Sequence, residues 1–424
     1  MAEFNFNPGD EVKIRLALEE LDGRVLESSD KSVLLLKLKS GYNIGIPREN
    51  VLDGKVVRRF KEAEVGKKEK EPKIDKGKKT LGLIITGGTI ASKLDSRTGG
   101  VKHLTSLEEF KKFYPELFEK YNIVIDNPFM VASESMSWEH WVKIAESCEK
   151  FLNDEKISGV VVTHGTDFLG YTASALSFML GKLNKPVVLT YSQRSIDRAS
   201  SDAKMNLLCS GVVACSDIAE VVLVGHGTIE DTYCNVMGGT KVRKMHTSRR
   251  DAFKVLNSTA IAKVWEDGKI EVLKRYNIRG NCKAELDAVH SDKVALVKFY
   301  PGQDADILDF YALKYKGIVV EASGLGHLPV SESKNNWIPK IKKLVREGFV
   351  ICAAAQTLNG RLNPLVYSNG RELVDAGVIF LEDVLPETAF VKLGFVLGHY
   401  GWKVKVKEKM LENFAGEFNE KLGL

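Results

Sequence analysis

The sequence predicts an α/β protein of two unequal lobes, preceded by a small antiparallel β-barrel. Three observations lead there. From Leu81 onward, short apolar runs alternate with segments of helical spacing, the pattern of a parallel sheet covered on both faces. A hairpin-like stretch around residues 262–273 interrupts that alternation, which resumes after about residue 290. The first sixty residues instead carry brief alternating runs bounded by turn residues. The expected divisions are a barrel over 1–60, a charged linker over 61–79, a larger α/β unit over 80–285, and a smaller α/β unit with its tail over 290–424.

Taken in order, the barrel strands fall at 12–16, 23–26, 33–38 and 42–46. Asp22-Gly23, Ser28-Ser29-Asp30 and Ser40-Gly41 supply the turns between them. In 61–79 only Val65 and Ile74 are strongly apolar, too little to bury a core, so the segment reads as a tether punctuated by Pro72 and Gly77. The larger unit opens on a buried strand at 81–85. It continues with a helix at 138–152, a strand at 160–162, a helix at 168–183, a strand at 186–189, a helix at 199–213 and a strand at 221–224. A hairpin turning at Asp267-Gly268 follows. In the smaller unit the runs at 294–299, 318–320 and 350–353 read as strands, with helical spacing at 307–313 and 338–345.

Composition removes several classes of function. With 44% hydrophobic and 28% charged residues over 424 positions, the chain is neither disordered nor a single small domain. No apolar run reaches the roughly 18 residues of a membrane span, and Met1-Ala2-Glu3-Phe4 lacks a signal-peptide pattern, so a cytoplasmic protein is expected. Cys148, Cys209, Cys215, Cys234, Cys282 and Cys352 stand apart, without metal-ligand spacing, and read as small hydrophobes. A net charge of +5 does not announce a nucleic-acid binder.

Two loops carry the chemistry. The first strand of the larger unit runs into Thr86-Gly87-Gly88-Thr89-Ile90-Ala91, where glycines expose backbone amides and threonines supply hydroxyls. Alone, this motif is equally a phosphate loop or a tight turn, although it is neither GxGxxG nor a Walker motif. The second strand ends in Thr163-His164-Gly165-Thr166-Asp167, at the same sheet edge. A threonine hydroxyl needs a base or a lysine neighbour to become a nucleophile, and Asp167 is placed to orient one. His164, before a glycine turn, reads first as a structural hydrogen-bonding residue. The candidate lysine lies in Lys241-Val242-Arg243-Lys244-Met245-His246-Thr247; composition makes this a basic surface loop and does not choose between Lys241 and Lys244.

The two threonine motifs together resemble the bacterial-type L-asparaginase family, over residues 81 to about 400, and the barrel and linker are similar to the D-type subunits of archaeal tRNA-dependent amidotransferases. The resemblance implies an asparaginase-like two-domain fold and amide hydrolysis through Thr89, Thr166, Asp167 and Lys244, the lysine placed by its Lys-x-x-Thr spacing. It implies Ser133 and Glu134 on the substrate's α-carboxylate and α-amino groups, and backbone amides near Gly88, Thr89 and Thr166 for the oxyanion. It also implies a glutaminase that passes ammonia from glutamine, or asparagine, to an E-type partner subunit acting on Glu-tRNA(Gln), as a homodimer within a heterotetramer. No cofactor is implied for this chain; ATP and Mg would serve the partner. Three departures fall in the pocket: no tyrosine in Asp95-Ser96-Arg97-Thr98-Gly99-Gly100, Glu134 where glutamine is common, and His327 where asparagine is common. They favour a longer side chain than asparagine's and a regulated nucleophile.

Two questions stay open on sequence alone. Which of Thr89 and Thr166 attacks first is one, with direct attack by a water activated by Thr166 as the competing mechanism. The barrel's Lys13, Arg15, Arg24, Lys37, Lys39 and Arg48 suit RNA phosphates, while Glu11, Glu19, Glu20, Glu27 and Glu49 dilute that field and suit partner docking. A stand-alone asparaginase and a non-catalytic binding module on a retired enzyme fold are the competing readings.

Overall fold

Alternation of apolar and charged residues does build strands at the amino end: β1 (Glu11–Arg15), β2 (Glu20–Val25), β3 (Val33–Leu38), β4 (Asn43–Pro47) and β5 (Asp53–Arg58). The computed structural model describes residues 4–40, 42–60, 74–94, 101–104, 107–198 and 200–421. The five strands hydrogen-bond in the order β4-β3-β2-β1-β5, all antiparallel. Their inward residues, among them Val12, Ile14, Leu34, Leu36 and Ile46, share one small core with Phe6. The antiparallel strands expected there are present; among the described residues no pairing joins β4 to β5. Most of the expected linker, 61–73, lies outside the described residues.

The larger lobe begins with β6 (Thr80–Ile85), a small ribbon of β7 (Ser92–Leu94) and β8 (Val101–His103), the helices α1 (Leu107–Phe113) and α2 (Pro115–Lys120), and β9 (Asn122–Asp126). Then come α3 (Trp138–Leu152), β10 (Ile157–Thr163), α4 (Leu169–Met179), β11 (Val187–Thr190), α5 (Ala203–Ala214) and β12 (Val221–His226). Strands β13 (Cys234–Gly238), β14 (Val242–Lys244), β15 (Phe253–Val255), β16 (Ala262–Val264) and β17 (Ile270–Val272) complete it. Eight of these form one sheet in the order β17-β16-β13-β12-β11-β10-β6-β9. Pairing is parallel from β9 to β12 and antiparallel from β12 to β17.

The apolar runs of the central strands serve both faces of the sheet, as a doubly covered parallel sheet requires. Leu81, Leu83 and Ile85 pack with Phe110, Leu117 and Leu207 from α1, α2 and α5. Ile84, Val160 and Val162 pack with Ile144, Cys148 and Leu176 from α3 and α4. Four of the six cysteines are buried, and Cys215 and Cys282 are half-buried. The second lobe runs β18 (Val294–Lys298), α6 (Ile307–Lys314), β19 (Gly317–Ala322), α7 (Ile338–Arg346), β20 (Val350–Ala355), α8 (Ser368–Asp375), β21 (Ile379–Phe380), α9 (Pro386–Gly398) and α10 (Val406–Leu411). Its four strands form a parallel sheet in chain order. Among the described residues, no helix is long and apolar enough to cross a membrane.

Candidate active site

Strands β6 and β10 lie side by side in parallel with Ile85 opposite Thr163, so the loops leaving their carboxyl ends emerge together. Glycine lets those loops touch. Gly87 (φ +124°) and Gly88 (φ +82°) hold conformations that side-chain-bearing residues rarely adopt. A Cβ on Gly88 would lie 2.6 Å from the Gly165 nitrogen, and one on Gly87 would lie 2.7 Å from the Val131 carbonyl oxygen. Gly165 in turn accommodates Ser133, whose Oγ would lie 2.9 Å from an added Cβ. Three segments distant in sequence therefore meet almost backbone to backbone. Thr86 locks them, its Oγ1 donating to the Thr163 carbonyl at 2.8 Å and its own carbonyl accepting from the Val131 N–H at 3.0 Å.

Thr89 opens a single 3₁₀ turn, Thr89–Ala91, whose Ile90 and Ala91 are buried and anchor it. Ser133 opens a similar turn, Ser133–Ser135, with Ser133 buried and Glu134 exposed. Across from them, Lys244 at the end of β14 donates from Nζ to Thr166 Oγ1 at 2.8 Å and to Asp167 Oδ1 at 2.7 Å. The Lys244 side chain is 15% exposed while Asp167 is 59% exposed, so the amine is sheltered and the carboxylate faces outward. Among the described residues no hydrogen bond joins Lys244 to Thr89.

Burial and partners separate the two lysines. Lys241 is 3% exposed and its Nζ is bound to the Asp383 carboxylate at 2.8 Å and the Asp383 carbonyl at 3.2 Å. Burial lowers its pKa despite that partner. Its amine is held by Asp383 of the second lobe. His164 is structural: Nδ1 meets the Gly165 carbonyl at 2.7 Å and Nε2 meets Thr172 Oγ1 at 2.9 Å. Full burial pushes its pKa down to about 4, which keeps the ring neutral.

A cavity of about 350 Å³ adjoins Ser133 and Glu134, between the two lobes, walled by Trp138, Phe168, Tyr171 and His290. His290 has a buried Nδ1 without a hydrogen-bond partner, and burial lowers its pKa to about 4. His327 lies in the second lobe on the turn after β19, its ring edge-on to Tyr367 with centroids 5.3 Å apart. The segment 95–100, which lacks a tyrosine, lies outside the described residues. Sequence reading missed His290, as well as Asp383 and Glu387, which hold Lys241 and Arg243 from the second lobe. Nothing in their local sequence marks them, because their partners lie more than a hundred residues away.

Comparison with known proteins places this arrangement. The family description "Asparaginase, N-terminal" matches residues 80–277, "Glutaminase/Asparaginase C-terminal domain" matches 293–410, and "GatD N-terminal domain" matches 6–57. The thermostable L-asparaginase from Thermococcus kodakarensis superposes with a TM-score of 0.72 at 28% identity, covering 81% of this chain and 100% of that one. L-asparaginase I from Vibrio cholerae superposes with a TM-score of 0.70, also at 28% identity, covering 81% of this chain and 99% of that one. Fold and loop convergence thus define an enzyme of the asparaginase-type amidohydrolase class.

A longer likeness narrows that class. The glutamyl-tRNA(Gln) amidotransferase D subunit of Thermococcus kodakarensis is 48% identical over 412 residues, covering 96% of this chain and 91% of that protein. The corresponding D subunit of Pyrococcus abyssi is 48% identical over 436 residues, covering 98% and 96%. This chain belongs to the family of glutamyl-tRNA(Gln) amidotransferase D subunits.

Proposed function

We propose that the chain releases ammonia from the side-chain amide of glutamine, for a partner E subunit that converts Glu-tRNA(Gln) to Gln-tRNA(Gln) in the cytoplasm. The observation that carries this reading is the amine of Lys244 held on Thr166 and Asp167, on the loop against which Gly88 packs the Thr89 turn. Thr89 attacks the amide carbon, forming a C–O bond while the carbonyl π electrons move to oxygen. Backbone N–H groups near Gly88, Thr89 and Thr166 receive the oxyanion. Lys244 gives a proton to the leaving nitrogen and is replenished by the hydroxyl proton relayed through Thr166; the oxyanion electrons re-form the carbonyl as the C–N bond breaks and ammonia departs. Water then cleaves the acyl-threonine ester and returns glutamate. Ser133 and Glu134 hold the substrate's α-groups. ATP and Mg serve the partner.

A second mechanism draws support from the same hydrogen bonds. Because Lys244 touches Thr166 and not Thr89, a water activated by Thr166 is a competent direct attacker. The test is a glutaminase assay of the full chain with partner and Glu-tRNA(Gln). Thr89→Ala and Lys244→Ala are each expected to lower kcat by roughly 10²–10⁴-fold. Acid-quench trapping of an acyl-Thr89 ester supports attack by Thr89, and its absence in a turning-over enzyme supports direct attack by water. Full glutaminase turnover without partner or tRNA would remove the amidotransferase reading in favour of a stand-alone amidohydrolase.

A further inference from the structure

Lys244 sits on a strand that the main sheet does not hold. Among the described residues β14 pairs only with β15, in a two-stranded ribbon, with Lys244 opposite Phe253. The residues leading up to Lys244 are tied to the second lobe instead. Thr240 accepts from Thr388 Oγ1 through its carbonyl at 2.9 Å. Lys241 enters the buried pair with Asp383, whose carboxylate also accepts from the Asn419 side chain at 2.6 Å and the Asn419 N–H at 3.2 Å. Arg243, next to Lys244, reaches Glu387 with Nε to Oε1 at 3.1 Å. Asp383, Glu387 and Thr388 lie within six residues of one another, at the start of α9.

Two of these ties have the marks of structural anchors. The Lys241–Asp383 pair is sealed, at 3% and 0% exposure. Thr388 shares its hydroxyl with Ser174 of α4 at 2.9 Å, in the buried seam between the lobes. Glu387 differs. Its Oε2 is buried without a hydrogen-bond partner, so the guanidinium of Arg243 is the charged partner that holds this carboxylate in the seam. Arg243 also lowers the electrostatic cost of burying Glu321 and opposes the upward pull of Glu387 on the Tyr171 phenol. Arg243 is thus tied to Glu387 of the second lobe, and the peptide unit it shares with Lys244 transmits that position one residue on.

We infer that Glu387 is a positioning residue for Lys244: through its salt bridge to Arg243, the start of α9 sets how the Lys244 amine meets Thr166. This rests on the proposed participation of Lys244 in amide hydrolysis. Misplacing a catalytic group by a fraction of an ångström costs rate without necessarily costing substrate affinity.

The experiment measures steady-state glutaminase activity of the full chain with its partner and Glu-tRNA(Gln), for Glu387→Ala, Glu387→Gln, Arg243→Ala, the Glu387→Ala/Arg243→Ala double variant and Lys244→Ala, with thermal unfolding of each. Glu387→Ala is expected to lower kcat by ~10-fold with KM within about twofold. Glu387→Gln, which keeps an acceptor for Arg243, recovers part of the loss. Arg243→Ala matches Glu387→Ala, and the double variant is no worse than either, since both remove one interaction. Should Glu387→Ala fail to fold, Arg243→Ala carries the test alone. A kcat within twofold of the parent, a loss confined to KM, or additive losses in the double variant would overturn the inference. Lys244→Ala separates the two readings: activity retained there refutes the role of Lys244, whereas an inactive Lys244→Ala beside an unaffected Glu387→Ala refutes only the role of Glu387.

Discussion

One lysine amine bridging a threonine hydroxyl and a carboxylate, while another three residues earlier is sealed in a salt bridge, gives the two cations different energetic roles. Under the proposed mechanism Lys244→Met removes the proton carrier, and it is expected to cut kcat by at least about a hundredfold while leaving the thermal midpoint nearly unchanged. Lys241→Met leaves Asp383 buried with a charge no longer offset. It is expected to cost about 3–5 kcal/mol, read as a lower denaturation midpoint in guanidinium. His164 adds a pH dependence. Its pKa in the fold, about 4, lies below its usual 6.5, so the fold favours the neutral ring. The associated stability is complete above about pH 6.5 and is lost as pH falls toward 4, about 3 kcal/mol in all. His290, also near 4, acts in the same direction. Denaturation midpoints at pH 7, 5.5 and 4.5 should fall in that order, and a flat profile would refute the assignment.

At the scale of elements, the loops are held by shape more than by side-chain bonds. Gly88→Ala would combine a forbidden φ with a Cβ 2.6 Å from the Gly165 nitrogen, forcing the Thr89 turn away from Thr166. The expected result is loss of most glutaminase activity with the second lobe still folded, checked by kinetics alongside hydrogen exchange. Helix α3 begins with a reciprocal cap in which Ser137 and His140 bond each other's ends. Ser137→Ala should cost about 1 kcal/mol in an unfolding titration. The central strands and the long helices of the larger lobe were legible because their apolar runs are continuous or strictly periodic. Strands β5, β9 and β13 were not. Asp53–Arg58 has only two strongly apolar residues beside a charged tether, Asn122–Asp126 is an edge strand with a half-exposed face, and Cys234–Gly238 mixes one asparagine and a closing glycine into a short run. Edge and short strands are set by the neighbour they pair with, which local pattern does not report.

For the whole molecule, the amino-terminal sheet has its own core, and among the described residues none of it hydrogen-bonds to Thr166, Asp167 or Lys244. A chain lacking residues 1–75 is expected to fold and, with the partner present, to retain glutamine hydrolysis, while amide transfer to tRNA falls sharply; both are measured with the partner and Glu-tRNA(Gln). Three of the six basic residues that suit phosphates are paired: Lys13 with Glu20 at 2.6 Å, Arg24 with Glu11 at 2.9 Å and Lys39 with Asp22 at 3.6 Å. Such local pairing weakens the field they offer to phosphates. Lys13→Ala/Arg15→Ala should therefore leave the salt dependence of tRNA-stimulated activity unchanged, whereas a shallower slope would restore the RNA-binding role.

Sequence by itself determined the α/β class, the antiparallel strands at the amino end, and the two threonine motifs, because periodicity and the glycine pattern of a loop are local properties of a chain. Composition left two lysines, and the family resemblance pointed to Lys244. The tertiary structure adds what holds each amine: Lys241 is claimed by a carboxylate 142 residues away, while Lys244 meets Thr166 and Asp167. The Arg243–Glu387 bridge across the lobes was equally beyond the sequence. Burial and ion pairing are settled by which distant residues the fold brings to within about 3 Å, and no local pattern of residues carries that information.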